Sequence, residues 1–127
     1  MTSWVLDASA VLSTFRGEPG GEVAEEAFGD SLISAVNLCE VVSKLVDEGI
    51  TEADALLIAM TPSYAIADFD EALGLQAGAL RAATRRWGLS LGDRACLALA
   101  RREGLPVLTA DRAWASLDIG VEIRLIR

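Results

Sequence analysis

Four carboxylates carry most of the chemistry this sequence can offer: Asp7, Glu40, Asp93 and Asp111. Asp7 lies in WVLDASAVL between two apolar segments, where an acid is costly unless it caps a helix, belongs to a pair or binds a cation. Glu40 shares a helix face with Asn37 and Lys44, so it is either half of an exposed Glu–Lys pair or an acid at the edge of the buried surface. Asp93 closes Ser90-Leu91-Gly92-Asp93, a capping-box pattern, and its helical neighbours are Cys96, Leu97 and Ala100. It therefore projects from the apolar side of its helix, while Arg94 and Arg101 occupy another face. Asp111, in VLTADRAW, follows a strand and can also cap the turn after it. Its spacing from Thr109 matches that between Asp7 and Ser9, an acid and a hydroxyl two residues apart.

The chain has no histidine, which removes imidazole acid–base catalysis, Ser-His and Cys-His nucleophiles and histidine-ligated metals together. Hydrolytic chemistry must then rest on carboxylates with a hard, oxygen-binding cation. Converging carboxylates repel one another unless protonated or bridged, and Mg2+, with Mn2+ as a substitute, is the natural bridge. One or two such ions would activate water and orient a phosphodiester.

Short strands alternating with helices must position these acids. The pattern predicts strands at Ser3–Leu6, Ser31–Ile33, Tyr64–Ala67, Val107–Thr109 and Val121–Ile126. Helices are expected at Ala8–Arg16, from the GEPGG loop to about Phe28, from the Ser34 cap to Glu48, and from the Thr51 cap to Pro62. One long helix is expected from Asp70 to Trp87 and another from about Asp93 to Glu103, with a short turn at Arg112–Leu117. This alternation predicts a three-layer α/β/α domain with a short, mostly parallel sheet, spanning residues 1–127 as one unit. Ligands of open α/β sheets gather beyond the carboxyl ends of the strands, and Asp7 and Asp111 both fall there.

Composition narrows the setting. Of 127 residues 52% are hydrophobic, enough for one core without staples. The longest uncharged stretch, Ala55–Ala67, is 13 residues, short of the roughly 20 a membrane helix needs. With no basic segment ahead of an apolar run at the N-terminus, the expectation is a soluble cytoplasmic protein. Cys39 and Cys96 are expected as reduced core residues. The net charge of −8 is uneven: residues 1–80 hold 14 acids and two bases, and residues 81–127 hold five acids and nine arginines. A basic second half suits contact with phosphates, although solvated helix faces account for such charges equally well.

VLDASAVL, SAVNLCEV, LSLGDRACLALA and VLTADRAW together resemble the PIN-domain nucleases, and within them the VapC-like toxin ribonucleases. The matching segments span essentially the whole chain in the family's order. The resemblance implies an acidic Mg2+ pocket, RNA endonuclease activity, a toxin–antitoxin context with a cognate antitoxin protein, and a homodimer. Carried over residue by residue, Asp7, Glu40, Asp93 and Asp111 would hold the metal and be catalytic. Ser9, Asn37 and Thr109 would support the ligands or face phosphate, and Arg94 and Arg112 are candidates for RNA contact. Trp4, Trp87 and Trp114 could stack bases, with core packing as the default. Two other readings compete: a Mg2+-dependent phosphohydrolase or phospho-acceptor domain with Asp7 as nucleophile, and a non-catalytic partner-binding module with the acids as caps. The first wants a late lysine, and Lys44 is the only lysine in the chain.

Overall fold

The computed structural model describes residues 2–127. Its strands are β1 (Trp4–Leu6), β2 (Ser31–Ser34), β3 (Ala65–Ala67), β4 (Val107–Thr109) and β5 (Ile123–Leu125). They form one five-stranded sheet in the order β3-β2-β1-β4-β5, with every pairing parallel. The helices are α1 (Ala8–Phe15), α2 (Gly21–Ala27), α3 (Ala35–Asp47), α4 (Glu52–Met60), α5 (Glu71–Ala79), α6 (Arg81–Thr84) and α7 (Leu91–Glu103). This is the expected α/β/α layering, and the sheet is wholly rather than mostly parallel.

Strand alternation divides the core between the two faces of the sheet. Register pairs Leu32 with Val5, Val5 with Val107, and Val107 with Ile123, giving an apolar row that packs with Leu73, Ala77, Leu97 and Leu99 of α5 and α7. Leu6, Ile33 and Leu108 face the other way, into a cluster with Val11, Leu12, Val41 and Leu45 of α1 and α3. Between Ala95 and Ala100 every residue of α7 is buried. Its three alanines there admit close neighbours on all sides, so this helix is enclosed rather than amphipathic.

The expected helix from Asp70 to Trp87 is broken into α5, α6 and a 3-10 turn at Arg85–Trp87. Gly74 and Gly78 weaken the helical run, each by about 1 kcal/mol relative to alanine. At Leu80 ψ relaxes to −9°, and the Thr84 hydroxyl donates to the Leu80 carbonyl at 2.8 Å, reinforcing the bend. Gly88, at φ 64°, then stops the segment in a left-handed conformation that glycine adopts without strain. α7 begins at Leu91 rather than Asp93, because Ser90 is its N-cap. Among the described residues, no helix is long and apolar enough to cross a membrane.

Candidate metal centre at the carboxyl edge of the sheet

Two residues past Val5 and Val107, the same alternation brings Asp7 and Thr109 side by side on the α7 face, held by the Leu6–Leu108 register and by Asp7 N–H donating to Leu108 O at 3.0 Å. Asp7 occupies the N-cap position of α1, yet its side chain makes no cap hydrogen bond. Its Oδ2 instead accepts from the Ser9 hydroxyl at 2.6 Å and the Thr109 hydroxyl at 2.8 Å. Those hydroxyls are oriented in turn: Ala110 N–H donates to Ser9 Oγ at 3.0 Å and Asp111 N–H to Thr109 Oγ1 at 3.0 Å. Two backbone amides beyond β4 thus act through two hydroxyls on one carboxylate oxygen. Oδ1 has no hydrogen-bond partner among the described residues. With Asp7 only 5% exposed, desolvation raises its pKa from 3.8 to about 6, against the two hydroxyl bonds, which lower it. The charges of Asp93 and Glu40 push it further up.

Glu40 is half-buried on α3 and pairs with Asn37, not with Lys44. Asn37 Nδ2 donates to Glu40 Oε1 at 2.8 Å and to the Gly92 carbonyl at 3.0 Å. Both partners are acceptors, so they fix which way the amide faces, and they leave Asn37 Oδ1 buried without a partner. The Glu40 carboxylate lies against Gly92 in the first turn of α7: a Cβ built there would stand 2.5 Å from Oε2, and closer to Cδ and Oε1. Asp93, one residue on, is half-buried and closes the capping box foreseen from its sequence. Its Oδ2 accepts from Ser90 N–H at 2.8 Å, while Ser90 Oγ accepts from Asp93 N–H at 3.2 Å.

Asp7, Glu40 and Asp93 therefore share one electrostatic neighbourhood, and all three also raise the pKa of the buried Cys96 thiol, after desolvation, which acts most. Among the described residues no three acidic or sulfur side chains form a ready-made metal cage. The three acids are linked by field rather than by mutual contact. Asp111 stands apart: exposed, it caps the turn at Arg112–Ser116 by accepting from Ala113 N–H at 3.0 Å. Its backbone joins the relay to Asp7, whereas its carboxylate is not among the charges that shift Asp7.

The remaining candidates divide. Arg112 is exposed beside Asp111. Arg94 is half-buried and ties α7 to α5, its Nη1 donating to Ala77 O at 3.0 Å. Trp114 is fully buried, which leaves it no face for a base. Trp4 and Trp87 are half-buried beneath Arg124 and Arg86, whose guanidinium carbons lie 5.1 and 5.5 Å from the rings. Cys96 is a core thiol as expected; Cys39 is exposed, because it lies on the outer side of α3. Cavities of about 270 and 350 Å3 lie beside Trp4 and between α5 and α7, and none of the four acids lines either. Sequence reasoning missed Gly92 and the joint hold of Asn37 on Glu40 and α7. The contact spans 55 residues, and a glycine in a capping box looks incidental.

A family model described as PIN domain matches residues 4–120. Among solved structures, the DNA-bound VapBC from Salmonella typhimurium is similar at TM-score 0.76 and 19% identity, with 100% of both chains covered. VapBC2 from Rickettsia felis, bound to a promoter DNA fragment, aligns at TM-score 0.71 and 16% identity over 98% of each chain. Mycobacterium tuberculosis VapC20, described as a sarcin-ricin loop cleaving toxin, aligns at TM-score 0.70 and 17% identity, over 94% of this chain and 99% of that one. A search of curated proteins finds no match.

Proposed function

Because the chain belongs to the PIN domain family, we propose that it is a metal-dependent endoribonuclease, the toxin of a toxin–antitoxin pair, hydrolysing RNA phosphodiester bonds at its acidic rim. The observation that supports this reading is the buried Asp7 carboxylate at the carboxyl edge of the sheet, reached by the charges of both Asp93 and Glu40. Like charges near the buried Asp7 raise its proton affinity, and a cation relieves that repulsion. The donor set suits a hard divalent ion: oxygen atoms only, with Asp7 Oδ1 unengaged and Asn37 Oδ1 buried and unpartnered. Asp7, Glu40 and Asp93 would hold Mg2+, with Mn2+ as a substitute and Asp111 at the margin. When bound, the ion supplies an acidified water and positive charge for a phosphodiester.

The chain's own residues prepare this site. Ser9 and Thr109 stabilise the anion of Asp7 against burial, so that it is mostly ionised at neutral pH. Asn37 directs Glu40, and the Ser90 amide steadies Asp93. Arg112, exposed beside Asp111, is the better placed of the two arginines to meet an RNA phosphate. RNA is favoured as substrate by the family resemblance of the site motifs and by the likeness to VapC20, described as a sarcin-ricin loop cleaving toxin. An antitoxin partner is favoured by the likeness to toxin–antitoxin complexes, among them one from Klebsiella pneumoniae. A homodimer is favoured by the apolar face of α4, where Leu57 is 68% and Met60 56% exposed. The cytoplasm is the compartment where such a pair would act.

The test is cleavage of structured and single-stranded RNA by purified, partner-free protein in Mg2+ or Mn2+, mapped at 5′ ends. Asp93→Asn should lower the rate at least 100-fold while leaving the metal-free melting temperature within a few degrees. An inert wild type in both ions, or an equally active Asp93→Asn, overturns the assignment.

A further inference from the structure

Gly92 occupies the second helical position of α7, where nothing in the capping box calls for a glycine. Its φ is not positive, so backbone conformation does not require one either. What occupies the space of its missing side chain is the carboxylate of Glu40, with all three terminal atoms inside the distance any real Cβ would tolerate. Asn37, fully buried, spends both amide hydrogens on this one junction, one on Glu40 Oε1 and one on the Gly92 carbonyl. The donor thus fastens the acid and the helix it rests on at the same time. A carboxylate at the amino end of a 13-residue helix is also favoured by the helix dipole.

We propose that Gly92 and Asn37 are positioning residues for Glu40: the bare glycine admits the carboxylate to the first turn of α7 beside Asp93, and the Asn37 amide pins it there. This deepens the metal-site reading and rests on it for its functional meaning. The atoms that a methyl at position 92 would strike are the far end of a flexible side chain, not backbone. Gly92→Ala therefore swings Glu40 away at little cost to folding, and alanine even improves helix propensity. The site is damaged while the fold is spared. Glu40→Asp, one methylene shorter, restores the room that the methyl takes.

The experiment is a double-mutant cycle on Gly92→Ala and Glu40→Asp, read by Mn2+ affinity in calorimetry, by metal-free melting, and by a crystal structure of metal-free Gly92→Ala. Gly92→Ala should melt within a few degrees of wild type and bind Mn2+ at least tenfold more weakly. The double variant should bind more tightly than Gly92→Ala alone. Asn37→Leu should also weaken Mn2+, and in its metal-free crystal structure Glu40 should leave α7. Wild-type affinity in Gly92→Ala, additive losses in the cycle, or an unmoved Glu40 carboxylate in the Gly92→Ala crystal overturns the proposal. A wild type that binds no Mn2+ overturns the metal-site reading instead, and the crystal structures still decide whether glycine and amide hold Glu40.

Discussion

At the scale of single residues, Asp7 illustrates how a helix-cap position can be used for something else. The ordinary cap bond would have spent its carboxylate on α1; instead one oxygen is committed to Ser9 and Thr109 and the other is left unengaged. Burial makes this acid a liability to the metal-free fold. Its folded pKa of about 6 exceeds the unfolded 3.8, so the folded state binds the proton more tightly. Stability from this group is full below pH 3.8 and is lost as pH rises through about 6. The whole shift corresponds to about 3 kcal/mol at neutral pH. Asp7→Asn should accordingly gain stability over wild type on raising the pH: the difference between the two, from urea melts, should grow by about 2 kcal/mol between roughly pH 4.5 and 7.5. A constant difference would mean that Asp7 is not held out of water as described.

Among elements, the amino end of α7 gathers the most consequence. Ser90 caps it, Gly92 receives Glu40, Asp93 closes the capping box with its charge felt at Asp7, and Arg94 anchors the next face to α5. Ser90→Ala should cost about 1 kcal/mol of stability in chemical denaturation. Asp93 is gripped by the backbone amide of residue 90, which alanine retains, so cleavage should stay within a few-fold of wild type. A Ser90→Ala protein that is stable but inactive would give the hydroxyl a direct part in the chemistry. The capping box, the strand ends just before Asp7 and Asp111 and the end of the helix at Glu103 are legible in sequence because each is set by residues within one turn. The expected helix from Asp70 to Trp87 fails for a related reason: periodicity averages over the two glycines, while the break at Leu80 depends on local bonding and on how α5 meets α7. Glu40's partner was illegible because the helical rule points to Lys44 four residues on, whereas the structure engages Asn37 three residues back, itself committed across 55 residues of sequence. The order β3-β2-β1-β4-β5 has no local signature at all, yet it sets Asp7 beside Thr109 and is what unites distant motifs.

For the whole molecule, 19 acids against 11 bases leave a net charge of −8, an awkward balance for a protein that would draw a polyanion to an acidic rim. A bound divalent cation changes both terms, lowering the local repulsion and favouring the folded state by mass action. Mg2+ at about ten times its Kd should stabilise the fold by about 1.4 kcal/mol, raising the melting temperature by about 4 °C, and Asp7→Asn should blunt that rise. Calorimetric scans with and without Mg2+ measure both, and the absence of any shift in wild type would remove the cation from the account.

The two thiols carry a consequence of a practical kind. Cys39 lies open on the outer side of α3, while Cys96 is sealed in the core, its thiol held protonated by burial and by three neighbouring carboxylates. A thiol reagent therefore meets one reactive partner in the folded chain and two in the unfolded one. Uptake of the second label is a clock for global opening, built into the molecule at the back wall of its acidic rim.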